Sequence, residues 1–176
     1  MILRIRYYGD KILREKAKPI EVITEEIRTL ARDMIETMDK SNGIGLAAPQ
    51  VGHSIRLFVV RNYIEAPNAQ LTLSAPHVYI NPKLSNPSLK KVEDTEGCLS
   101  IPGIRGEVER PLKITIEALD LNGNPFIEHL EGINARVRMH ENDHLNGVLF
   151  IDRVSLRQKK KMEPHLKLIE EKYKTD

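Results

Sequence analysis

At 176 residues the chain is long enough to bury a sizeable core in one domain, and 40% hydrophobic with 30% charged residues is the balance of a globular protein. A net charge of +2 is too small to argue for nucleic acid by itself, no stretch is long and apolar enough to span a bilayer, and a lone cysteine, Cys98, rules out an internal disulfide. The opening "MILRIRYYGDKILREK" scatters charges among its apolar residues, unlike the apolar core of a secretory leader, so a reducing, cytoplasmic location is expected.

The first clear element is an amphipathic helix over 24–40. Ile27, Leu30, Ala31, Met34, Ile35 and Met38 recur at helical spacing and share one face. Thr24 is its N-cap and Asn42-Gly43 its stop. "RLFVV" (56–60) and "HVYIN" (77–81) read as strands, and "EAPNAQLTLSAP" between them as a loop or irregular excursion. "KITIEALD" alternates, with Ile114, Ile116 and Ala118 on one side, and Asn122-Gly123 joins it to "PFIEHLEG" as a hairpin. A second helix covers 134–146 and ends at Asn146-Gly147. Ser155 with Gln158 forms a capping box for a final helix, which Pro164 should kink or split. "RQKKK" (157–161) is the solvated face of that helix. Strands fill the middle, helices bracket them and no βαβ alternation appears, which predicts an α+β fold in a single domain over 1–176, with a helical tail beyond about 153.

The chemistry concentrates in "RMHENDHLNG" (138–147). On a helix, His140 and His144 project from one face about one turn apart and can share a metal ion. Glu141 lies about 60° around the helix from His144. It can stand beside the ion without binding it and move protons there. Two partly buried histidines bonded to neighbours would carry the same five letters, so the third ligand decides. The protease pattern that places a third histidine six residues after His144 meets Phe150, which cannot bind metal. Glu163, 19 residues after His144, is followed directly by Pro164 in a lysine-rich stretch. Cys98, in "EDTEGCLSIPG", offers a thiolate suited to zinc or ferrous iron. Cys with two His leaves a coordination position open, the mark of a catalytic site. "GIGLAAPQVG" (43–52) is dense in small residues, which fits either tight packing or a close approach of substrate backbone, and Gln50 adds an uncharged donor there.

Taken together and in this order, "GIGLAAPQ" (43–50), "EGCLS" (96–100) and "HENDH" (140–144) resemble the peptide deformylases, and similar flanks extend the likeness over about residues 7–153. The resemblance implies mainly antiparallel sheets around a central helix carrying H-E-x-x-H, with an N-terminal amphipathic helix and a C-terminal helix. It implies Cys98, His140 and His144 as metal ligands and Glu141 as general acid and base. Gln50 and the Leu99 backbone N–H would stabilise the oxyanion. Ile44, Ile133 and Val137 would line the methionine pocket, Ile44–Gly45 would pair with the substrate strand, and Arg105 would contact its backbone. Glu96 and Arg110 match a buried ion pair beneath the metal loop. Where the family often has Gln before the first histidine, this chain has Met139, which removes a hydrogen-bonding side chain.

The expected reaction is metal-dependent removal of the formyl group from N-formyl-methionyl nascent polypeptides. One divalent ion is expected, natively Fe2+, with Zn2+, Ni2+ or Co2+ in the purified protein. The enzyme is expected to be a cytoplasmic monomer, with transient ribosome contact and no specific nucleic acid or membrane partner. Two other readings compete: a peptidase using H-E-x-x-H on internal amides, and a non-enzymatic structural zinc protein that contacts RNA or the ribosome. Three plausible ligands instead of four count against the structural site.

Overall fold

The computed structural model describes residues 1–174. Its first long helix, α1 (Glu25–Lys40), starts at Thr24, whose side chain accepts from the Ile27 N–H, and buries Ala31, Met34 and Met38. It stops where the sequence predicts. Asn42 takes a left-handed backbone at φ 54°, and the Gly43 N–H returns to the Met38 carbonyl at 2.9 Å.

Nine strands follow the order β1 (Gly45–Ala47), β2 (Leu57–Val60), β3 (Tyr63–Glu65), β4 (Leu71–Leu73), β5 (His77–Ser85), β6 (Lys91–Cys98), β7 (Ile101–Pro111), β8 (Lys113–Leu119) and β9 (Pro125–Glu131). One five-stranded sheet runs β1-β2-β5-β8-β9, and β3-β4 and β6-β7 are separate two-stranded ribbons. Every pairing between these strands is antiparallel. The helix α2 (Ile133–Leu145) and the C-terminal α3 (Leu156–Lys172) complete the α+β fold.

All of β2 is buried because it has a helix on each face. Leu57 and Val59 join the cluster of Ala31, Met34 and Met38 from α1, while Phe58 and Val60 join Val137 and Leu145 from α2. A continuous apolar run is what two covered faces require. The α3 helix packs elsewhere: Met162, Leu166 and Ile169 meet Ile104 and Val108 of β7.

The structure departs from the sequence reading in four places. The stretch read as a loop holds most of the β3–β4 hairpin, which begins two residues before it, with Tyr63 opposite Leu73 and Glu65 opposite Leu71. Its residues Ile64, Leu71 and Leu73 are exposed, so no apolar/polar alternation marks it. The β6–β7 ribbon was not predicted either. Its signal is the alternation Ile104, Gly106, Val108, Arg110, all buried, in which glycine and arginine disguise the pattern. Pro164 does not split α3, which continues to Lys172; the proline is exposed, so the carbonyl it leaves without a partner can face water. Finally, Ser155 caps α3 through the Gln158 N–H, but the Gln158 side chain accepts from the Glu107 N–H at 2.9 Å instead of completing a capping box.

Candidate metal centre and its groove

Nine of the thirteen residues of α2 are buried, among them Arg136, Arg138, Glu141, Asp143 and His144. A helix wrapped on all sides shows no amphipathic stripe, and its charges must be paired within the protein. The ribbon β6–β7 supplies most of those partners. Its register slips between Gly97 and Cys98, so that Gly97 faces Arg105 while Cys98 faces Ile101 across the turn Leu99–Ser100. That slip sets Cys98 against α2.

The potential ligand atoms of Cys98, His140 and His144 all lie within 4.8 Å of one another. Cys98 Sγ is 3.3 Å from His144 Nε2. His140 hydrogen-bonds through Nδ1 to Glu96 Oε1 at 2.9 Å, which orients its ring and turns Nε2 toward the Cys98 thiol, where an ion would be held. Phe150, the residue that cannot be a third histidine, stacks near the His140 ring with centroids 6.3 Å apart. Burial pushes His144 well below the usual imidazole range, so it is neutral, as a ligand must be. Burial also opposes the charge on His140, but its hydrogen bonds with Cys98 and Glu96 outweigh that and raise its pKa. One thiol and two imidazoles suit a divalent transition metal, and so does the open fourth position. Glu163 lies exposed on α3 and is not part of this cluster.

Glu141 is 4% exposed, and its Oε2 has no hydrogen-bond partner. Burial pushes its carboxyl up to about 7. A buried carboxyl that titrates near neutrality is suited to exchanging protons. Gly45 makes room for it: a Cβ there would sit 2.4 Å from Glu141 Oε1. Gln50 is held just as firmly. Its Oε1 accepts from the Ala47 N–H at 2.9 Å, which forces its amide nitrogen toward Ser100 Oγ at 3.1 Å and Cys98 Sγ at 3.4 Å. The longer contact to sulfur is the one an incoming oxygen could take over.

Beneath the ligands runs a chain of ion pairs, buried except at its Arg153 end. Arg110 binds Glu96 with two hydrogen bonds, at 2.6 and 2.8 Å, and reaches Asp143 at 2.9 Å. Arg136 adds a bond to Glu96 at 2.7 Å, and Arg153 grips Asp143 at 2.6 and 2.7 Å. Burial alone would raise the Glu96 carboxyl, but the hydrogen bonds from Arg110 and His140 prevail and hold it well below the carboxylate range. The Glu96–Arg110 pair was expected from the family resemblance. Arg136, Asp143 and Arg153 were not: Arg136 and Asp143 meet partners 40 and 33 residues away, and no local pattern announces the Asp143–Arg153 pair.

A groove of about 620 Å³ opens in front of this cluster. Its lining includes all of the expected contact residues, Ile44, Gly45, Gln50, Leu99, Arg105, Ile133 and Val137, together with Cys98, His140 and Glu141. The β1 strand is an edge of the five-stranded sheet, so its outer side is open to a further strand. Met139 faces away from the groove, into a cluster with Ile114 and Ala135. The Gln-to-Met departure therefore fills core and leaves the ligands untouched. Tyr63 also lines the groove and was missed, because it lies between the predicted strand 56–60 and the stretch read as a loop, where no element was assigned.

The sequence matches a family model described as polypeptide deformylase over residues 2–160. A peptide deformylase of Chlorobium luteolum is 42% identical over 171 residues, covering 94% of this chain and 85% of the relative. One from Psychrobacter cryohalolentis is 47% identical over 154 residues, covering 88% and 80%. Among solved structures, a peptide deformylase from Plasmodium falciparum superposes with a TM-score of 0.87 at 38% identity, over 97% of each chain.

Proposed function

This chain belongs to the peptide deformylase family, and from that premise we propose how its own residues release formate. The reaction is hydrolysis of the formyl amide at the N-terminus of a nascent polypeptide, and it is metal-dependent. Cys98, His140 and His144 would hold the ion. When bound, a divalent metal supplies Lewis acidity for the formyl carbonyl and makes its water a better nucleophile. Because the thiolate donates charge and weakens that acidity, Fe2+, which tolerates an extra ligand, is the native ion of this proposal.

The remaining steps belong to the protein. Ile44–Gly45 pairs with the extended substrate backbone, and Arg105 contacts it from the opposite wall. The methionine side chain enters between Ile44, Ile133 and Val137. Glu141 takes a proton from the attacking water and delivers it to the departing amine nitrogen. The Gln50 amide and the Leu99 backbone N–H donate to the oxygen that gains charge. A nascent chain as substrate supports a cytoplasmic enzyme that makes transient ribosome contact.

The observation that carries this reading is the unpartnered, buried Glu141 carboxylate beside three converging ligand atoms, at the floor of a groove with an open strand edge. The test is product identity by mass spectrometry, using protein loaded with iron or nickel. Formyl-Met-Ala-Ser should yield formate, its acetylated counterpart should be inert, and formyl-Asp in the first position should react poorly because the apolar pocket cannot solvate a carboxylate. Cleavage of internal bonds without formate would identify a peptidase instead.

A further inference from the structure

The β3–β4 hairpin has no part in the chemistry described above, yet it is fastened to the groove at two points. Two residues before Tyr63, the Arg61 N–H donates to the Ile44 carbonyl at 2.9 Å. At Tyr63 itself, the side chain of Asn134 does the work of a neighbouring strand. Its Oδ1 accepts from the Tyr63 N–H at 3.0 Å, and its Nδ2 donates to the Tyr63 carbonyl at 3.1 Å. Asn134 stands in the first turn of α2, next to Ile133. The strand that carries Tyr63 is therefore tied through Arg61 to Ile44, and at Tyr63 itself to the neighbour of Ile133; Ile44 and Ile133 are two of the apolar residues assigned to the first substrate side chain.

The residue types fit this placement. Tyr63 is half-buried and lines the groove, while Ile64, its neighbour along the strand, is 48% exposed. Ile133 is itself 44% exposed and lines the same groove as Tyr63, so the patch is open to solvent at this end. A tyrosine offers a flat apolar ring to a guest side chain and a hydroxyl to water, which suits the lip of a pocket. A pair of hydrogen bonds that fixes a residue's backbone also fixes where its side chain starts, and so determines how far the pocket extends.

We propose that Tyr63, clamped by Asn134, is a further substrate-binding residue that forms the outer wall of the pocket for the first side chain and sets the length of side chain the enzyme accepts. This rests on the reading that Ile44, Ile133 and Val137 receive that side chain. The hairpin thereby delivers a specificity residue to a site whose chemistry is built elsewhere.

The test compares metal-loaded wild type with Tyr63→Ala, Tyr63→Phe and Asn134→Ala on formyl-Met-Ala-Ser and on the same peptide starting with formyl-2-aminooctanoate, a longer unbranched residue. In Tyr63→Ala the ratio of kcat/KM for the methionyl over the longer substrate should fall about 10-fold, the scale of a change of one or two methylenes in an apolar pocket. The methionyl loss should appear in KM, since the reacting groups are untouched. Tyr63→Phe should keep the wild-type ratio. Asn134→Ala should shift the ratio in the same direction as Tyr63→Ala by releasing the wall. An unchanged ratio in both Tyr63→Ala and Asn134→Ala overturns the inference while leaving the deformylase reading intact. Failure of the wild type to release formate from either peptide would instead remove the reading on which the inference rests.

Discussion

The two ends of the groove are held in opposite ways. At the metal end, His140, Glu96, Arg110, Asp143 and Arg153 form one chain of hydrogen-bonded charges, and Glu96 and Arg110 are 6% and 3% exposed. At the rim, the β3–β4 hairpin exposes Ile64, Leu71 and Leu73 and is joined to α2 through the single side chain of Asn134. The first arrangement gives the ligands and their neighbours several fixed partners each, as electrostatic preorganisation requires. The second leaves a surface that can vary at little cost to the fold. Chemistry and selectivity are thus carried by regions of very different stiffness, and each region can be broken without the other.

The metal end should break most completely at Cys98. Cys98→Ala leaves two imidazoles, which hold a divalent ion weakly, so metal analysis after anaerobic purification should find most of the ion gone and formate release abolished. Full occupancy in that variant would overturn the ligand assignment. Glu141→Gln separates holding from reacting. The amide keeps the volume against Gly45 but cannot cycle a proton, so bound metal and melting behaviour should persist while turnover falls at least about 100-fold. Near-normal turnover would take Glu141 out of the proton path.

The contrast also explains what could be read from sequence. The α1 helix, the β8–β9 hairpin and the H-E-x-x-H helix were legible because period, caps and turn residues are local signals; Asp120, for example, accepts from the Asn122 and Asn124 N–H groups at 2.8 and 2.9 Å, tightening the predicted turn. The ligand and acid–base candidates were legible because chemistry restricts residue type. The ribbon β6–β7 was not, because its buried positions hold Gly106 and Arg110, and an arginine reads as surface until its partners Glu96 and Asp143 are placed beside it. Nor was Tyr63: its role depends on Asn134, 71 residues away, and no local pattern announces that contact.

The ion-pair chain gives the next-smaller test. Arg110→Met keeps an unbranched apolar stem but leaves Glu96 with one guanidinium fewer in a dry site and Asp143 with Arg153 alone. Breaking a buried pair from one side costs about 3–5 kcal/mol, so the urea midpoint should drop clearly at neutral pH. The same substitution should raise the rate of metal loss, because Glu96 orients His140. An unchanged midpoint would show that the charges merely coexist and do not support one another.

The smallest expected effect lies between the two regimes, in the short turn Phe150–Asp152 that leads into α3. Asp152 accepts from Arg14 at 2.5 Å and from the Leu149 N–H at 2.9 Å. Burial raises its pKa, but these bonds prevail and lower it overall. An aspartate that ionises at lower pH when folded than when unfolded contributes stability in full above the unfolded value, about 3.9, and loses it as pH falls through the lower folded value. Solvent screens this pair, so its contribution should stay below about 1 kcal/mol. The gap in urea midpoint between wild type and Asp152→Asn should be constant from about pH 7 to 5 and close below about 4. Metal loss in acid affects both proteins alike and cancels in the difference. A gap that widened on acidification would mean that the folded carboxyl is raised, placing Asp152 with the unpaired, buried Glu141 instead of the solvated pairs of the surface.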